Sequence, residues 1–375
     1  MMGMALDGCA AGLAAAGSAT RVAPSGVVQL DLNENPFGPS PRAVEAIRRA
    51  LVDLARYTRG EADDLQRQVA AFEGVAFEQV VLGDVLDAIV VHLARDGGPG
   101  GEFVYSTPGY APFADSARAA GGSAIGVPID ARLENDLPSL AARIGDRTRA
   151  LFVVNPHNPS GTISDTVALK AMLRAASTRA LVLVDEAYLE FTDDYRSRTC
   201  VDLVRAGDNV AVLRTFSKIH GLAALPFGYA VVPAVWANRL RAGGVGNPRS
   251  LNRLAVTAAS SSLADASFVA WARAKVAEER ARWVSTFQSL NVRFADSHGN
   301  FVFFETGRPH RAFAGAMLAR GVDIVVGRFL PSIAGPAFQS GSPRKTNGRG
   351  TYCARSSAER AIERISLVVP GSHLA

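Results

Sequence analysis

Lys218 is the residue whose type and setting point most directly to chemistry. It ends the segment RTFSK at 214–218, which follows a short apolar run. A lysine at the end of a buried strand is poorly solvated, which favours the neutral amine that attacks a carbonyl carbon to form a Schiff base. A single lysine is more often a surface charge, but the hydroxyls of Thr215 and Ser217 suit a bound phosphate. The other lysines lie on predicted amphipathic helices or in an atypical tail: Lys170, Lys275 and Lys345.

Asp185 is a second candidate, because it follows the apolar run ALVLV at 180–184 directly. A buried carboxylate is costly unless it is paired. One partner that needs such a carboxylate is the protonated pyridine nitrogen of pyridoxal 5'-phosphate (PLP), whose ring withdraws electrons from a bonded carbon. The phenol of Tyr188, three residues later, can reach the ring oxygen. The simpler alternative is that Asp185 caps a helix or bonds to water, and the residues that follow it favour the cofactor.

The segment NPHNPSGT at 155–162 is the third candidate. Its two X-Pro steps and its glycine predict a stiff turn that presents the Asn158 amide to the ring. His157 is interpreted as structural, since no second histidine or cysteine stands at the spacing of a metal site. We therefore expect no metal.

Predicted strands position these three segments. Apolar runs at 149–154, 180–184 and 210–214 are typical of buried strands, and helical patterns lie between them. This alternation predicts an α/β fold with a mostly parallel sheet covered by helices, plus a smaller terminal α+β domain. Because ligands bind beyond the carboxyl ends of such strands, the three segments are expected to meet there.

Five stretches of the chain differ in character. We predict a disordered start or signal-like remnant at 1–28, an arm and helix joining the small domain at 29–55, and a large PLP-binding domain at 56–285. An incomplete small C-terminal domain follows at 286–328, and an anomalous tail at 329–375. The start lacks a basic n-region, so a cytoplasmic location is favoured over export.

Composition excludes several classes of protein. The formal net charge is +5, but six basic and two acidic residues from Phe329 onward contribute +4 of it, so nucleic-acid binding is not expected. No apolar run approaches the roughly 20 residues of a membrane span. Three cysteines, Cys9, Cys200 and Cys353, do not form a disulfide framework. A nicotinamide-dependent enzyme is disfavoured because no glycine fingerprint opens an early strand–helix unit.

The order and spacing of five motifs resemble fold-type-I PLP-dependent aminotransferases, and among them the histidinol-phosphate aminotransferase group. The resemblance runs from about Asp31 to Arg328. The motifs are LNENPFGPSP at 32–41, TPGY at 107–110, NPHNPSGT at 155–162, DEAYLEF at 185–191 and RTFSKIHGLA at 214–223.

The resemblance implies a transaminase of histidine biosynthesis that uses histidinol phosphate or a similar amino acid, with 2-oxoglutarate and glutamate as the second pair. Lys218 would be the Schiff-base lysine and proton shuttle, and Asp185 would pair with the pyridine nitrogen. Asn158 and Tyr188 would bond to the ring oxygen, and Tyr110 would stack on the ring. Thr215, Ser217 and Asp87 would bind the cofactor phosphate, while Tyr57 would reach the phosphate in the neighbouring subunit, which implies a homodimer. Asn35 and Arg328 would contact the substrate.

The sequence departs from this family at the expected phosphate site. The loop reads GDVLDA at 83–88, where the family has small residues and a pair of acids. Pro226 stands where the family usually has an arginine that neutralises the phosphate. The loss of one charge-assisted contact would cost about 1.5–3 kcal/mol.

The tail departs further. Near its end the family has an arginine in a strand, within a phrase like W-x-R-I-S-I-G, and no such phrase occurs after Arg328. We predict that the tail at 329–375 is disordered. We hypothesise a frameshift near Phe329. Codons can be chosen for the tail such that reading the same DNA in another frame encodes PPFDRWARISIG, which contains the missing arginine phrase. Sequencing the gene across Arg328 tests this, and codons incompatible with that frame would exclude it.

Two alternatives remain open from the sequence. The first keeps PLP but changes the reaction to decarboxylation of a phosphorylated amino acid. The second is a non-catalytic, damaged relative with low stability and little PLP retention.

Overall fold

The computed structural model describes residues 26–95, 101–306 and 309–324, together with the backbone of Arg364–Val368. It contains eleven strands and twelve α-helices in these ranges. In chain order they are β1 (Val28–Leu30), α1 (Pro41–Ala50), α2 (Gly60–Glu73), β2 (Val80–Leu82), α3 (Leu86–Arg95), β3 (Glu102–Thr107), α4 (Ala111–Ala119), β4 (Ser123–Pro128), α5 (Leu137–Ala142), β5 (Thr148–Val154), α6 (Thr166–Ser177), β6 (Leu181–Asp185), α7 (Tyr195–Arg198), α8 (Val201–Arg205), β7 (Val210–Thr215), β8 (Gly228–Val231), α9 (Ala234–Ala242), α10 (Arg253–Leu263), α11 (Ala266–Ser289), β9 (Phe301–Glu305), α12 (His310–Leu318), β10 (Val322–Ile324) and β11 (Arg364–Val368).

A seven-stranded sheet forms the centre of the fold, in the order β2-β8-β7-β6-β5-β3-β4. The strands from β7 to β4 run parallel, and β8 runs antiparallel to both of its neighbours. The predicted α/β fold with a mostly parallel sheet is therefore confirmed.

Both faces of this sheet are buried, which explains why its strands are continuous apolar runs rather than alternating ones. Successive residues of a strand point to opposite faces. In β5, Leu151 and Val153 pack into one hydrophobic core, while Phe152 and Val154 pack into another. The three strands β5, β6 and β7 lie side by side, so their carboxyl ends meet at one edge.

The segment 251–283 belongs to two consecutive helices, α10 and α11. Helix α10 ends at Leu263, and Asp265 then caps α11 by accepting a hydrogen bond from the backbone N–H of Phe268. A side-chain cap satisfies an N–H group that a new helix leaves unpaired, so it fixes the start of α11.

The two ends of the described chain meet in a second, smaller unit. Strand β1 pairs in parallel with β10, and β9 pairs antiparallel with β11. Residues of β1, α11, β9 and β10 share a separate apolar core. Strand β1, at the start of the arm at 29–55, thus lies next to the terminal part of the described chain, and the division into domains stays a prediction.

The tail prediction is wrong at one place. Residues 364–368 form strand β11, in which Ser366 lies opposite Phe303 of β9, and Arg364 opens this strand. The run RISLV is rich in β-branched and aliphatic residues, and it supplies a partner for an otherwise unpaired edge. The rest of 329–375 lies outside the described residues.

Two negative findings apply to the described part of the chain. None of its helices has the length and apolar character of a membrane span. None of its clusters of His, Cys, Asp and Glu is arranged to hold a metal ion.

Candidate active site

A cavity of about 520 Å³ lies at the edge where the parallel strands end. The last residues of β5, β6 and β7, namely Val154, Asp185 and Thr215, all line it. The structure therefore brings the three segments that the sequence singled out to one place.

Lys218 lies in the loop after β7, and its side chain reaches into this cavity. The Nζ atom donates a hydrogen bond to the backbone oxygen of Leu32 at 2.9 Å and lies 5.7 Å from the centre of the Tyr188 ring. Burial lowers the pKa of Lys218, while Glu34 and Asp185 act in the opposite direction. The lowered pKa increases the fraction of neutral amine, which is the form that attacks a carbonyl group.

Asp185 is the last residue of β6 and carries a carboxylate that is costly to ionise. Burial raises its pKa to about 6, although a hydrogen bond from the Ala187 backbone and the charge of Lys218 both lower it. The Ala187 N–H donates to Oδ1 at 2.9 Å. Because the only hydrogen bond to this buried carboxylate from the described residues comes from a neutral N–H group, a ligand with a positive charge would stabilise its ionised form.

Tyr188 has its hydroxyl at the centre of a small polar group. The amide of Asn33 donates to this oxygen at 3.2 Å and that of Asn158 at 3.4 Å. Burial raises the pKa of Tyr188 above its usual range, so the phenol keeps its proton. The ring is fixed by an edge-to-face contact with Phe301, at 5.0 Å between centroids. The hydroxyl can therefore donate to an oxygen of a bound ligand.

Three further predicted residues also line the cavity. Tyr110, at the start of α4, is 37% exposed, and burial together with Asp185, Asp84 and Asp87 raises its pKa to about 12. Thr215 and Ser217 are linked, since the Ser217 N–H donates to the Thr215 Oγ1 at 3.0 Å. An exposed ring and two hydroxyls are available there to a planar, phosphorylated ligand.

Asp87 and Asn35 lie differently from what the sequence suggested. Asp87 lies outside the cavity lining and accepts a hydrogen bond from Ser116 at 2.6 Å, whereas Asp84 lines the cavity instead. Asn35 is buried, donates to the Ile219 backbone oxygen at 2.8 Å and accepts from the Phe37 N–H, so its amide is occupied by the protein. The arm residue that faces the cavity is Asn33, whose left-handed backbone (φ 52°) no sequence signal indicated.

Comparison with known proteins decides the family. The profile of the family "Aminotransferase class I and II" matches residues 25–365. The chain belongs to this family. It is similar to the histidinol-phosphate aminotransferase of Limosilactobacillus fermentum, with 36% identity over 302 residues that cover 80% of this chain and 83% of the relative. That of Moorella thermoacetica is 37% identical over 306 residues, covering 80% and 78%.

A solved structure gives the cofactor. The histidinol-phosphate aminotransferase of Sinorhizobium meliloti in complex with pyridoxal-5'-phosphate matches with a TM-score of 0.76 at 25% identity, covering 92% of this chain and 86% of that one. This aminotransferase is therefore a PLP-dependent transaminase. The residues at the ring end of the cavity fit PLP: Lys218 for its aldehyde, Asp185 for its ring nitrogen, and Tyr188 with Asn158 for its ring oxygen.

The roles of two residues of the aminotransferase, Tyr57 and Arg328, remain predictions. Tyr57 is 71% exposed and lies between α1 and α2, away from the cavity lining of its own chain. Its contact with a neighbouring subunit remains a prediction. Arg328 lies outside the described residues, so its role as a substrate ligand also remains a prediction.

Sequence reasoning missed a buried ion pair beneath the site. Arg214 and Glu186, with side chains 2% and 1% exposed, lie 2.8 Å apart and both bond to Thr199. Each is next to a site residue in the chain, since Glu186 follows Asp185 and Arg214 precedes Thr215. The ion pair therefore links the carboxyl ends of β6 and β7.

We expect Glu186→Gln to destabilise the aminotransferase by about 1.5–3 kcal/mol, because it removes the closer of two carboxylates that pair with the buried Arg214 and leaves, among the described residues, only Glu190, at 3.9 Å. Urea denaturation measures the free energy of unfolding. The control is Arg67→Ala, which removes an exposed pair with Asp64 and should cost less than about 1 kcal/mol. Equal effects of the two substitutions would contradict a structural role for the buried pair.

Proposed function

We propose that this transaminase transfers the amino group of histidinol phosphate, or of a closely similar amino acid, to 2-oxoglutarate. The observation that carries the proposal is the convergence of Lys218, Asp185 and Tyr188 on one cavity. The substrate comes from the two relatives named above, which share more than a third of their aligned residues with this chain.

The chain's own groups have separate tasks in this reaction. PLP, when bound, supplies the carbonyl group and the electron sink. Asp185 holds a proton on the ring nitrogen, and Tyr188 and Asn158 orient the ring oxygen. The amine of Lys218, which donates a hydrogen bond to the Leu32 carbonyl in this structure, would be the group that accepts and donates the proton that moves during the transfer.

The test is the visible spectrum of the purified protein with PLP, titrated with histidinol phosphate. Yellow absorbance that appears with PLP and bleaches with this donor, then returns with 2-oxoglutarate, is the expected result. Glutamate, aspartate and phenylalanine serve as comparison donors. If another donor bleaches the cofactor at much lower concentration, the proposed substrate is wrong; release of carbon dioxide would identify a decarboxylase instead.

We also propose that the functional unit is a homodimer. Four large side chains are exposed within a short stretch after α1: Leu51 (48%), Val52 (85%), Leu54 (57%) and Tyr57 (71%). Such a concentration of exposed apolar surface marks a protein interface. A second copy covering it would bring Tyr57 to the neighbouring cavity, as the resemblance predicts.

Introducing a charge at Val52 tests the dimer. Val52→Glu should convert a dimer to a monomer in light scattering, because it buries an unpaired carboxylate in the interface. Val167→Glu on α6 is the matched control, since Val167 is also highly exposed but lies on another surface. If Val52→Glu has the same molar mass in solution as the wild type and the control, or if the wild type is monomeric, the proposed interface is wrong.

A further inference from the structure

Three segments form one corner of the cavity, which we call the phosphate corner: 83–86, 215–217 and 226–228. Gly83 and Gly228 exchange backbone hydrogen bonds of 3.0 and 3.2 Å, and Thr215 pairs with Gly228 across β7 and β8. The Phe216 N–H donates to the Phe227 oxygen at 3.0 Å. The corner is therefore held together by backbone pairing.

The donors that this corner offers to an anion are neutral. Helix α3 begins at Leu86, and the first N–H groups of a helix have no partner within it, so they attract anions. Thr215 and Ser217 add two hydroxyls. Since the ring end of the cavity fits PLP, this corner is where its phosphate would lie; the inference rests on PLP being the cofactor.

The charges around the corner do not favour a phosphate. Among the described residues that line the cavity, the only basic ones are Lys218 and Arg214. Lys218 is needed at the aldehyde, and the Arg214 guanidinium is bound to Glu186 beneath the sheet, on the face opposite the Thr215 side chain.

An acid lies at the corner instead. Asp84 lines the cavity one residue after Gly83, and burial together with the charge of Asp87 raises its pKa. Pro226 lines the same corner, is exposed, and has no group that can donate a hydrogen bond. A phosphate with a charge near −2 would thus meet neutral donors and one carboxylate.

We propose that neutral donors alone hold the cofactor phosphate in this chain, that Asp84 opposes it, and that position 226 determines how strongly the protein prefers PLP over pyridoxal, which lacks the phosphate. A guanidinium at 226 would add a charge-assisted contact, which corresponds to a roughly 10- to 100-fold gain in affinity for the phosphorylated form.

The experiment measures dissociation constants of PLP and pyridoxal with cofactor-free protein, by absorbance titration at fixed ionic strength. The ratio of the two constants isolates the phosphate contribution, because both ligands make the same bond to Lys218. Pro226→Arg should raise the preference for PLP at least about 10-fold. Pro226→Gln, which has length but no charge, should leave it within about 3-fold of the wild type, a margin below one charged hydrogen bond.

Asp84→Asn is an independent variant, and we expect it to raise the preference for PLP several-fold by removing the repulsion. If Pro226→Arg fails to fold, the ratio of dissociation constants in Asp84→Asn tests the inference by itself. An unchanged ratio in Asp84→Asn, or in a folded Pro226→Arg, would overturn the inference while leaving PLP as the cofactor. If neither ligand binds the wild-type protein, the proposed function fails as well.

Discussion

Replacing Lys218 with alanine should lower kcat by about a thousandfold or more and abolish the shift to longer wavelength that distinguishes lysine-bonded PLP from free PLP. Both effects have one physical reason, since the same amine bonds the cofactor and moves the proton, and a positioned acid–base group alone contributes roughly 10²–10⁴-fold. Single-turnover measurements with histidinol phosphate and the visible spectrum test the two effects separately.

Lys275→Ala is the matched control for this prediction. Lys275 lies on α11, is exposed, and pairs with Glu278 at 2.9 Å on the same helix. Its loss should leave both kcat and the spectrum unchanged. A Lys218→Ala variant that retains the wild-type spectrum would show that another amine bonds the cofactor.

Replacing Asp185 with asparagine should lower kcat by about a hundredfold or more, because a neutral amide cannot keep the ring nitrogen protonated. The Ala187 N–H can still donate to the amide oxygen, so the local geometry is preserved. Asp208→Asn is the control, since Asp208 forms a surface pair with Arg174 and should not affect kcat. Equal activities of the two variants would exclude the pairing of Asp185 with the ring.

Although Asp185→Asn should lower kcat, it should raise the stability of the cofactor-free protein at neutral pH. The folded pKa of Asp185 is about 6, above its ordinary value of 3.8, so folding favours the protonated form. The stability from this group is present below about pH 4 and is lost as the pH rises through 6. Asp185→Asn should therefore raise Tm relative to the wild type at pH 7 but not at pH 4. Loss of stability at pH 7 would mean that the lowered kcat reflects misfolding.

The sequence predicted the sheet and the central residues because both follow local rules. Buried parallel strands appear as continuous apolar runs, and a polar residue directly after such a run lies at the ligand-binding edge. Asp185 satisfies that rule, and Asn158, Tyr188 and Lys218 each lie within a few residues of a strand end. The structure places all four around one cavity.

The features that the sequence did not indicate depend on geometry that has no local signal. Asn33 and Asn35 are two residues apart in the same motif, yet Asn33, with its left-handed backbone, faces the cavity while Asn35 bonds to backbone groups. Asp84 and Asp87 are three residues apart, one just before α3 and one in its first turn. Strand β11 depends on a partner about 60 residues away, which a pattern within one short segment cannot reveal.

The arm that carries Asn33 has a consequence for how the protein is made. The Leu32 carbonyl meets Lys218 across 186 residues of chain, and the amide of Asn300 holds the Asn33 carbonyl across 267. Contacts so distant in sequence form late, after most of the chain has left the ribosome. A nascent chain that ends just before residue 300 contains the residues that line the cavity but lacks the Asn300 amide that holds the arm in place. We therefore expect such truncated chains to bind PLP more weakly than the full chain.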